Sequence, residues 1–150
     1  MATRRRTLLT GLVCSAAIGR SAGAQVRETP IVQPTAATPA GFLRRAFEMR
    51  DLALKAGDQG FGAVVVRESV IVGEAPSRVI ANTDPTAHAE MEAIRDAARR
   101  LHARSLTGAV LYSSFRPCPM CEAAAYWAGI SRMVYGDGAT DGGPPRLNRG

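Results

Sequence analysis

From Gly41 onward apolar residues recur at helical spacing. Phe42, Leu43, Ala46, Phe47, Met49, Ala53 and Leu54 fall mostly on one side, with Arg44, Arg45, Arg50 and Asp51 facing away, which predicts an amphipathic helix ended by Gly57. Phe61-Gly62-Ala63-Val64-Val65-Val66 and Val70-Ile71-Val72-Gly73 are β-branched runs around Arg67-Glu68-Ser69, the pattern of two strands joined by a short hairpin-like connection. Asp84-Pro85-Thr86 then opens a helix rich in Ala, Glu and Arg over 87–101, with Thr86 expected as its N-cap. A strand over 109–113, an Ala-rich helix over 118–128 and a strand over 130–135 complete the pattern. The order αββαβαβ indicates a three-layer α/β domain with a mixed sheet, spanning about 40–136. Pro30, Pro34 and Pro39 mark 25–39 as a flexible linker, and the Gly- and Pro-rich tail 137–150 promises no regular structure. No internal repeat is present.

The first 24 residues read as an export signal. Thr3-Arg4-Arg5-Arg6 is a basic start, the stretch 8–18 is apolar, and Ala22-Gly23-Ala24 offers an A-x-A cleavage site before Gln25. Arg5-Arg6-Thr7-Leu8-Leu9 resembles a twin-arginine signal, the route of proteins exported already folded, so a periplasmic or extracellular location is expected. A Sec signal and a basic N-terminal arm are the alternatives. Cys14 follows bulky Val13 and is no lipid-attachment site. No apolar run reaches the roughly 18 to 20 residues that span a bilayer, so no membrane anchor is expected after signal removal. The chain's formal charge is +6, but Arg4, Arg5, Arg6 and Arg20 lie in this segment, and the residues after it carry only +2. The basic balance is mostly the leader's and is no footprint of nucleic acid. With 150 residues there is room for one ordinary domain.

The chemistry concentrates in two short motifs. His88-Ala89-Glu90 starts one predicted helix, and Pro117-Cys118-Pro119-Met120-Cys121 starts the next, with Cys118 lying 30 residues after His88. One imidazole and two thiolates are three soft zinc ligands that leave a fourth tetrahedral position for water. Helix N-termini favour thiolate over thiol, and the i, i+3 spacing puts both sulfurs on one face. Zinc lowers the pKa of its water to about 7, and Glu90 can carry that proton without being a ligand. Each piece alone has a plainer reading. A CxxC at a strand-to-helix turn also describes a redox pair, a lone His88 a surface or capping histidine, and a lone Glu90 a solvated helix residue. Jointly, H-x-E followed by P-C-x-x-C is the signature of zinc-dependent base deaminases. His102, near a helix end beside Arg100, is read as favourable helix-end charge and not as a ligand.

Asp84-Pro85-Thr86-Ala87-His88-Ala89-Glu90-Met91-Glu92-Ala93-Ile94-Arg95, Leu111-Tyr112-Ser113-Ser114 and Pro117-Cys118-Pro119-Met120-Cys121 resemble the cytidine deaminase-like superfamily, in the branch of guanine, nucleoside and tRNA adenosine deaminases. The similarity runs from about Gly41 to Gly136. It implies an α/β/α sandwich around a five-stranded mixed sheet, with His88, Cys118 and Cys121 on Zn2+ and Glu90 as proton shuttle. It also implies a substrate pocket bordered by Phe61, by the backbone around Ala89, and by Trp127. Two positions depart from the family. An asparagine that contacts base or ribose is here Ser77, so that contact is expected to be lost, made through water, or passed to Asn82. The glutamate usual before Pro-Cys is Arg116. The family continues past this chain's end with another strand and helix, so the domain is expected to be short there and its pocket open.

The expected function is zinc-dependent hydrolytic deamination of a small nucleobase or nucleoside, guanine first, with release of ammonia. A tRNA-specific adenosine deaminase is the second reading, against which export and the low charge weigh. A zinc-stabilised, non-catalytic module derived from a deaminase belongs to a different class, and a redox role for Cys118 and Cys121 is a fourth. A homodimer is compatible with the family, while the residues themselves set no oligomeric state.

Overall fold

In the computed structural model residues 29–147 are described, and the segment read as an export signal lies outside them. Thr38 caps the first helix, α1 (Pro39–Lys55): its hydroxyl accepts from the N–H of Gly41 at 3.1 Å, and Pro39, which has no N–H to satisfy, follows it. Gly57, at a φ of 75°, stops the helix as the sequence suggests. Phe42, Leu43, Ala46, Met49 and Ala53 are its buried face. Leu54 was expected there but is exposed, because one residue past Ala53 is about 100° further round the helix.

β1 (Gly62–Arg67) and β2 (Val70–Pro76) form a hairpin whose two-residue turn, Glu68 and Ser69, has φ values of 51° and 63°. Two-residue hairpins favour this left-handed pair because its twist matches that of the strands. After them come α2 (Ala89–Arg100), β3 (Val110–Ser113), α3 (Pro119–Trp127), β4 (Arg132–Tyr135) and β5 (Thr140–Gly143). The sheet order is β2-β1-β3-β4-β5, with β3 and β4 parallel and every other neighbouring pair antiparallel. β5 corrects the expectation of an unstructured tail. Its sequence, TDGG, is polar and mostly exposed, and pairing with β4 holds it in place, so no apolar alternation announces it.

Two apolar layers flank the sheet. α1 covers one face through Phe42, Leu43, Ala46, Val64, Val66, Ile71 and Tyr112. α2 and α3 cover the other through Ala63, Val65, Ala89, Ala93, Ala97, Leu111 and Ala125. The domain is thus a three-layer α/β/α sandwich. Two glycines let the helices approach closely. A Cβ on Gly62 would fall 2.2 Å from the carbonyl oxygen of Ala46, and one on Gly73 would fall 2.5 Å from the Ala97 nitrogen and 2.6 Å from the Ala93 oxygen.

The edge strand β2 is covered by side chains. Gln33 donates through Nε2 to the Ile71 carbonyl at 2.9 Å and accepts from the Ile71 N–H at 2.8 Å, so its amide replaces a neighbouring peptide. Asp96 accepts from the N–H of Glu74, and Arg45 forms two 2.7 Å bonds to the Glu74 carboxylate. Gln33 and the packing of Ile31 on the α1 side thereby fasten the Pro-rich segment before α1, which contains no regular element. No helix among the described residues is long and apolar enough to cross a membrane.

The Gly73 contact yields a stability prediction. Gly73→Ala forces a methyl against α2 backbone and should destabilise by about 1 to 3 kcal/mol, seen as a lower urea midpoint at constant m. An unchanged midpoint would mean that α2 can lift off β2 without loss.

Candidate metal centre and active site

Four strand termini lie level at one end of the sheet. Gly62 at the start of β1 pairs with Pro76 at the end of β2, Ala63 pairs with Ser113 at the end of β3, and Ser113 lies beside Tyr135 at the end of β4. The connections into α2 and α3 leave from this end, so both helices begin there.

His88 and Cys118 are the N-cap residues of these two helices, and neither side chain makes a capping hydrogen bond. Thr86, the expected cap, is drawn away: its N–H and hydroxyl both donate to Asp84 Oδ1, at 2.8 and 2.7 Å, in an Asx turn. A conventional Ser, Thr, Asn or Asp cap is worth about 1 kcal/mol. Both helices forgo it, and the histidine and cysteine side chains turn to each other instead.

The three expected ligand atoms converge. His88 Nδ1 lies 3.7 Å from Cys118 Sγ and 3.6 Å from Cys121 Sγ, and the sulfurs are 3.6 Å apart. Cys121 is buried, while His88 and Cys118 are half-buried, and the group could hold a metal ion. Neither cysteine is in a disulfide. The helix N-terminus does not dominate the Cys121 thiol, whose pKa is pushed up by burial, with Glu90 and Cys118 adding to the rise. A thiol in such surroundings needs a cation beside it to persist as thiolate.

Glu90 is only 4% exposed. Its Oε1 accepts from the Ser113 hydroxyl at 2.9 Å, and its Oε2 lies 3.6 Å from Cys121 Sγ. One oxygen is therefore anchored and the other is held at the ligand triangle. Ser113, 1% exposed, was not singled out from the sequence. It lies two residues after Leu111 in β3, so strand periodicity puts it on the face that α2 and α3 cover, where a buried hydroxyl needs a partner. That periodicity was the available signal.

The expected pocket residues divide. Phe61 is part-exposed just before β1, its ring 6.2 Å from that of Phe115, which is 64% exposed. Ala89, the first residue of α2, is fully buried, backbone included. Ser77 is not open to a ligand: it is 3% exposed, its N–H donates to the Phe61 carbonyl, and its hydroxyl donates to Asp58 Oδ1 at 3.0 Å. Trp127 ends α3, six residues after Cys121, is 75% exposed, and its ring meets that of Tyr126. Asn82 is exposed.

A cavity of about 460 Å³ opens beside the cysteine motif, among Phe47, Ser114, Phe115, Arg116, Tyr135 and Asp137. A larger one, of about 630 Å³, lies away from the ligands between α1, α2 and the edge of β2, and its charged lining is largely paired internally. The chemistry belongs to the sheet end with the three ligands.

Comparison with known proteins agrees with this geometry. Residues 38–137 match the family model described as the cytidine and deoxycytidylate deaminase zinc-binding region. The chain is 44% identical over 101 residues to guanine deaminase of Bacillus subtilis, covering 67% of this chain and 65% of that one. It is 38% identical over 94 residues to the tRNA-specific adenosine deaminase of Aquifex aeolicus, covering 63% and 62%. The solved structure of the Bacillus subtilis guanine deaminase superposes with a TM-score of 0.61 at 42% identity, over 65% of this chain and 66% of that one. A structure of NE0047 in complex with 2,6-diaminopurine gives a TM-score of 0.64 at 25% identity, over 67% and 57%. The chain thus spans slightly less than two thirds of the curated relatives it matches. A family match over residues 38–137, from the start of α1 to just past β4, makes this chain a member of the cytidine and deoxycytidylate deaminase family.

Proposed function

We propose that the chain is a zinc-dependent hydrolytic deaminase of a small purine base or nucleoside, guanine foremost. The observation that carries the reading is the buried Glu90 carboxylate fixed against a nearly equilateral triangle of one nitrogen and two sulfurs. Tetrahedral zinc, with bonds of about 2.3 Å to sulfur and about 2.0 Å to nitrogen, would space its ligands by about 3.5 to 3.8 Å. The observed 3.6 to 3.7 Å suits that ion. When bound, zinc supplies electrophilic activation of water near neutral pH.

This chain's residues then handle the proton. Glu90 Oε2 takes one proton from the attacking water and passes it to the ring nitrogen, then carries the second, from the hydroxyl left on the ring carbon, to the amine that leaves as ammonia. Ser113 keeps the carboxylate from turning away while this happens. The balance is amine plus water giving oxo product plus ammonia, with no redox partner required. The purine preference draws on the 44% identity to a guanine deaminase. The 38% identity to a tRNA-specific adenosine deaminase supports the second reading, against which the charge of +2 after residue 24 weighs.

Protein purified without chelator should carry about one zinc per chain. His88→Asn should lose that zinc yet raise the stability of the metal-free protein by about 0.5 to 1 kcal/mol, because Asn is a good N-cap. Retained metal in this variant, by elemental analysis, would remove His88 from the ligand set. Glu90→Gln should keep the zinc while turnover falls by about 10² to 10⁴. Loss of metal instead would make Glu90 a ligand.

Substrate class is read by ammonia release from guanine, adenine, guanosine, adenosine, cytosine, cytidine and a tRNA side by side. Free purines or their nucleosides should be turned over fastest. Faster cytidine turnover, or activity confined to tRNA, defeats the purine reading. Zinc-loaded protein that turns over none of them would be the non-catalytic module.

A further inference from the structure

Asp58 is a buried carboxylate, 7% exposed, outside the catalytic group just described. No lysine or arginine pairs with it among the described residues; it is satisfied by hydrogen-bond donors alone. Oδ1 accepts from the Gln59 N–H at 2.7 Å and the Ser77 hydroxyl at 3.0 Å, and Oδ2 accepts from the N–H groups of Ile80 and Ala81 at 3.0 and 2.9 Å. Burial alone would raise its pKa, yet the N–H groups of Ala81 and Gln59, the Ser77 hydroxyl and the Ile80 N–H together hold it below the ordinary carboxylate value. It therefore stays an acceptor at neutral pH. The side chain is not needed to end α1, since Gly57 does that and the Asp58 N–H itself returns to the Ala53 carbonyl.

Its partners lie on the loop that leads into His88. Residues 77–87 close on themselves: the Arg78 N–H donates to the Ala87 carbonyl at 3.0 Å, Asn82 to Arg78, and Asp84 to Val79. Compact loops with adjacent ends behave as units that need an anchor to the body of the protein. The anchor is Asp58, from the α1–β1 connection, at the same sheet end. The two connections also meet where the Ser77 N–H donates to the Phe61 carbonyl, and the neighbouring Gly62 exchanges hydrogen bonds with Ser114. From Ser114 the contact continues through Ser113 to Glu90. Asp58 thus holds together the two loops that border the metal triangle on the β1 and β2 side.

We propose that Asp58 is a positioning residue for substrate binding: it clamps loop 77–87 to the α1–β1 connection and so fixes the chain that leads into His88 beside the three ligand atoms. By taking the Ser77 hydroxyl proton it also removes position 77 as a donor to the base. Recognition on this side then falls to the clamped backbone and to whatever the loop's exposed residues present. The proposal rests on the deaminase reading for its substrate but not for its structural half.

The test uses the zinc-loaded full chain with Asp58→Asn. The amide keeps one acceptor oxygen but turns an NH₂ toward one pair of donors, so about half the clamp is lost at constant volume; Asp58→Ala, which removes all of it, is the second variant. Amide hydrogen exchange at Ile80 and Ala81 should accelerate by about tenfold or more. KM for the best substrate should rise about tenfold while kcat stays within about threefold and zinc content is unchanged. Unchanged exchange in both variants overturns the clamp whatever the protein turns over. Faster exchange with unchanged KM overturns its part in substrate binding, as does a loss of zinc that accounts for the whole loss of activity. A wild-type protein without turnover defeats the deaminase reading instead, and the exchange rates still decide the clamp.

Discussion

The contact of α2 with β2 at Gly73 sets where the chemistry can stand. Ala93 and Ala97 lie on α2 with no exposed surface, and the helix backbone touches the strand where a side chain would have been. At that distance the helix can neither rise nor roll without opening a void or meeting the sheet. Its first turn is fixed as well: Ala89 is buried against the sheet, and Glu90, about 100° further round, is carried toward β3 and the Ser113 hydroxyl. His88, one residue before the helix, then points at α3. A packing contact about one to two and a half turns along the helix thus becomes the placement of His88 and Glu90.

What assembles at that end is anionic in its working form. Cys121 Sγ lies 3.6 Å from both Glu90 Oε2 and Cys118 Sγ, and burial together with Glu90 opposes ionisation of Cys121. Two helix N-termini supply only partial positive charge against this. A donor set of this kind is stable as thiolate only around a cation, and its spacing matches zinc. The same logic explains why good N-caps are given up. A serine at position 88 or 118 would satisfy the helix, whereas His88 and Cys118 leave first-turn N–H groups without a side-chain partner so that their own donor atoms can face the ion.

The sequence displayed the parts of this arrangement that depend on local rules. The hairpin turn, the Gly57 stop, the two motif helices and their 30-residue separation followed from periodicity and spacing. What escaped it depends on tertiary partners. Thr86 has the chemistry of a cap but is captured by Asp84, two residues back, leaving the cap position to His88. β5 has no apolar alternation because backbone pairing to β4 is all that holds it. Asp58 follows a helix-stopping glycine, where an acid is ordinary, and its role appears only when residues some twenty positions later fold back onto it. Ser77 was readable as a departure from the family but not as a buried one, because the acceptor that draws it inward is Asp58.

These two kinds of support have different consequences for change. His88 and Glu90 stand at the start of α2, whose backbone presses on the sheet, and Cys121 is buried on α3, so moving any of them disturbs a packed layer, and substitution there carries a stability cost as well as a chemical one. Around them stand connections: loop 77–87 on its carboxylate anchor, the Phe61 and Phe115 rings at the surface, and the segment carrying Arg116. Loops anchored by a few hydrogen bonds can be re-formed without repacking the core, at roughly the 0.5 to 1.5 kcal/mol of each bond changed. Departures from the family at Ser77 and Arg116 fall in this second class, while His88, Glu90, Cys118 and Cys121 keep the pattern. Selection on such a fold can therefore alter what is bound far more readily than what is done to it.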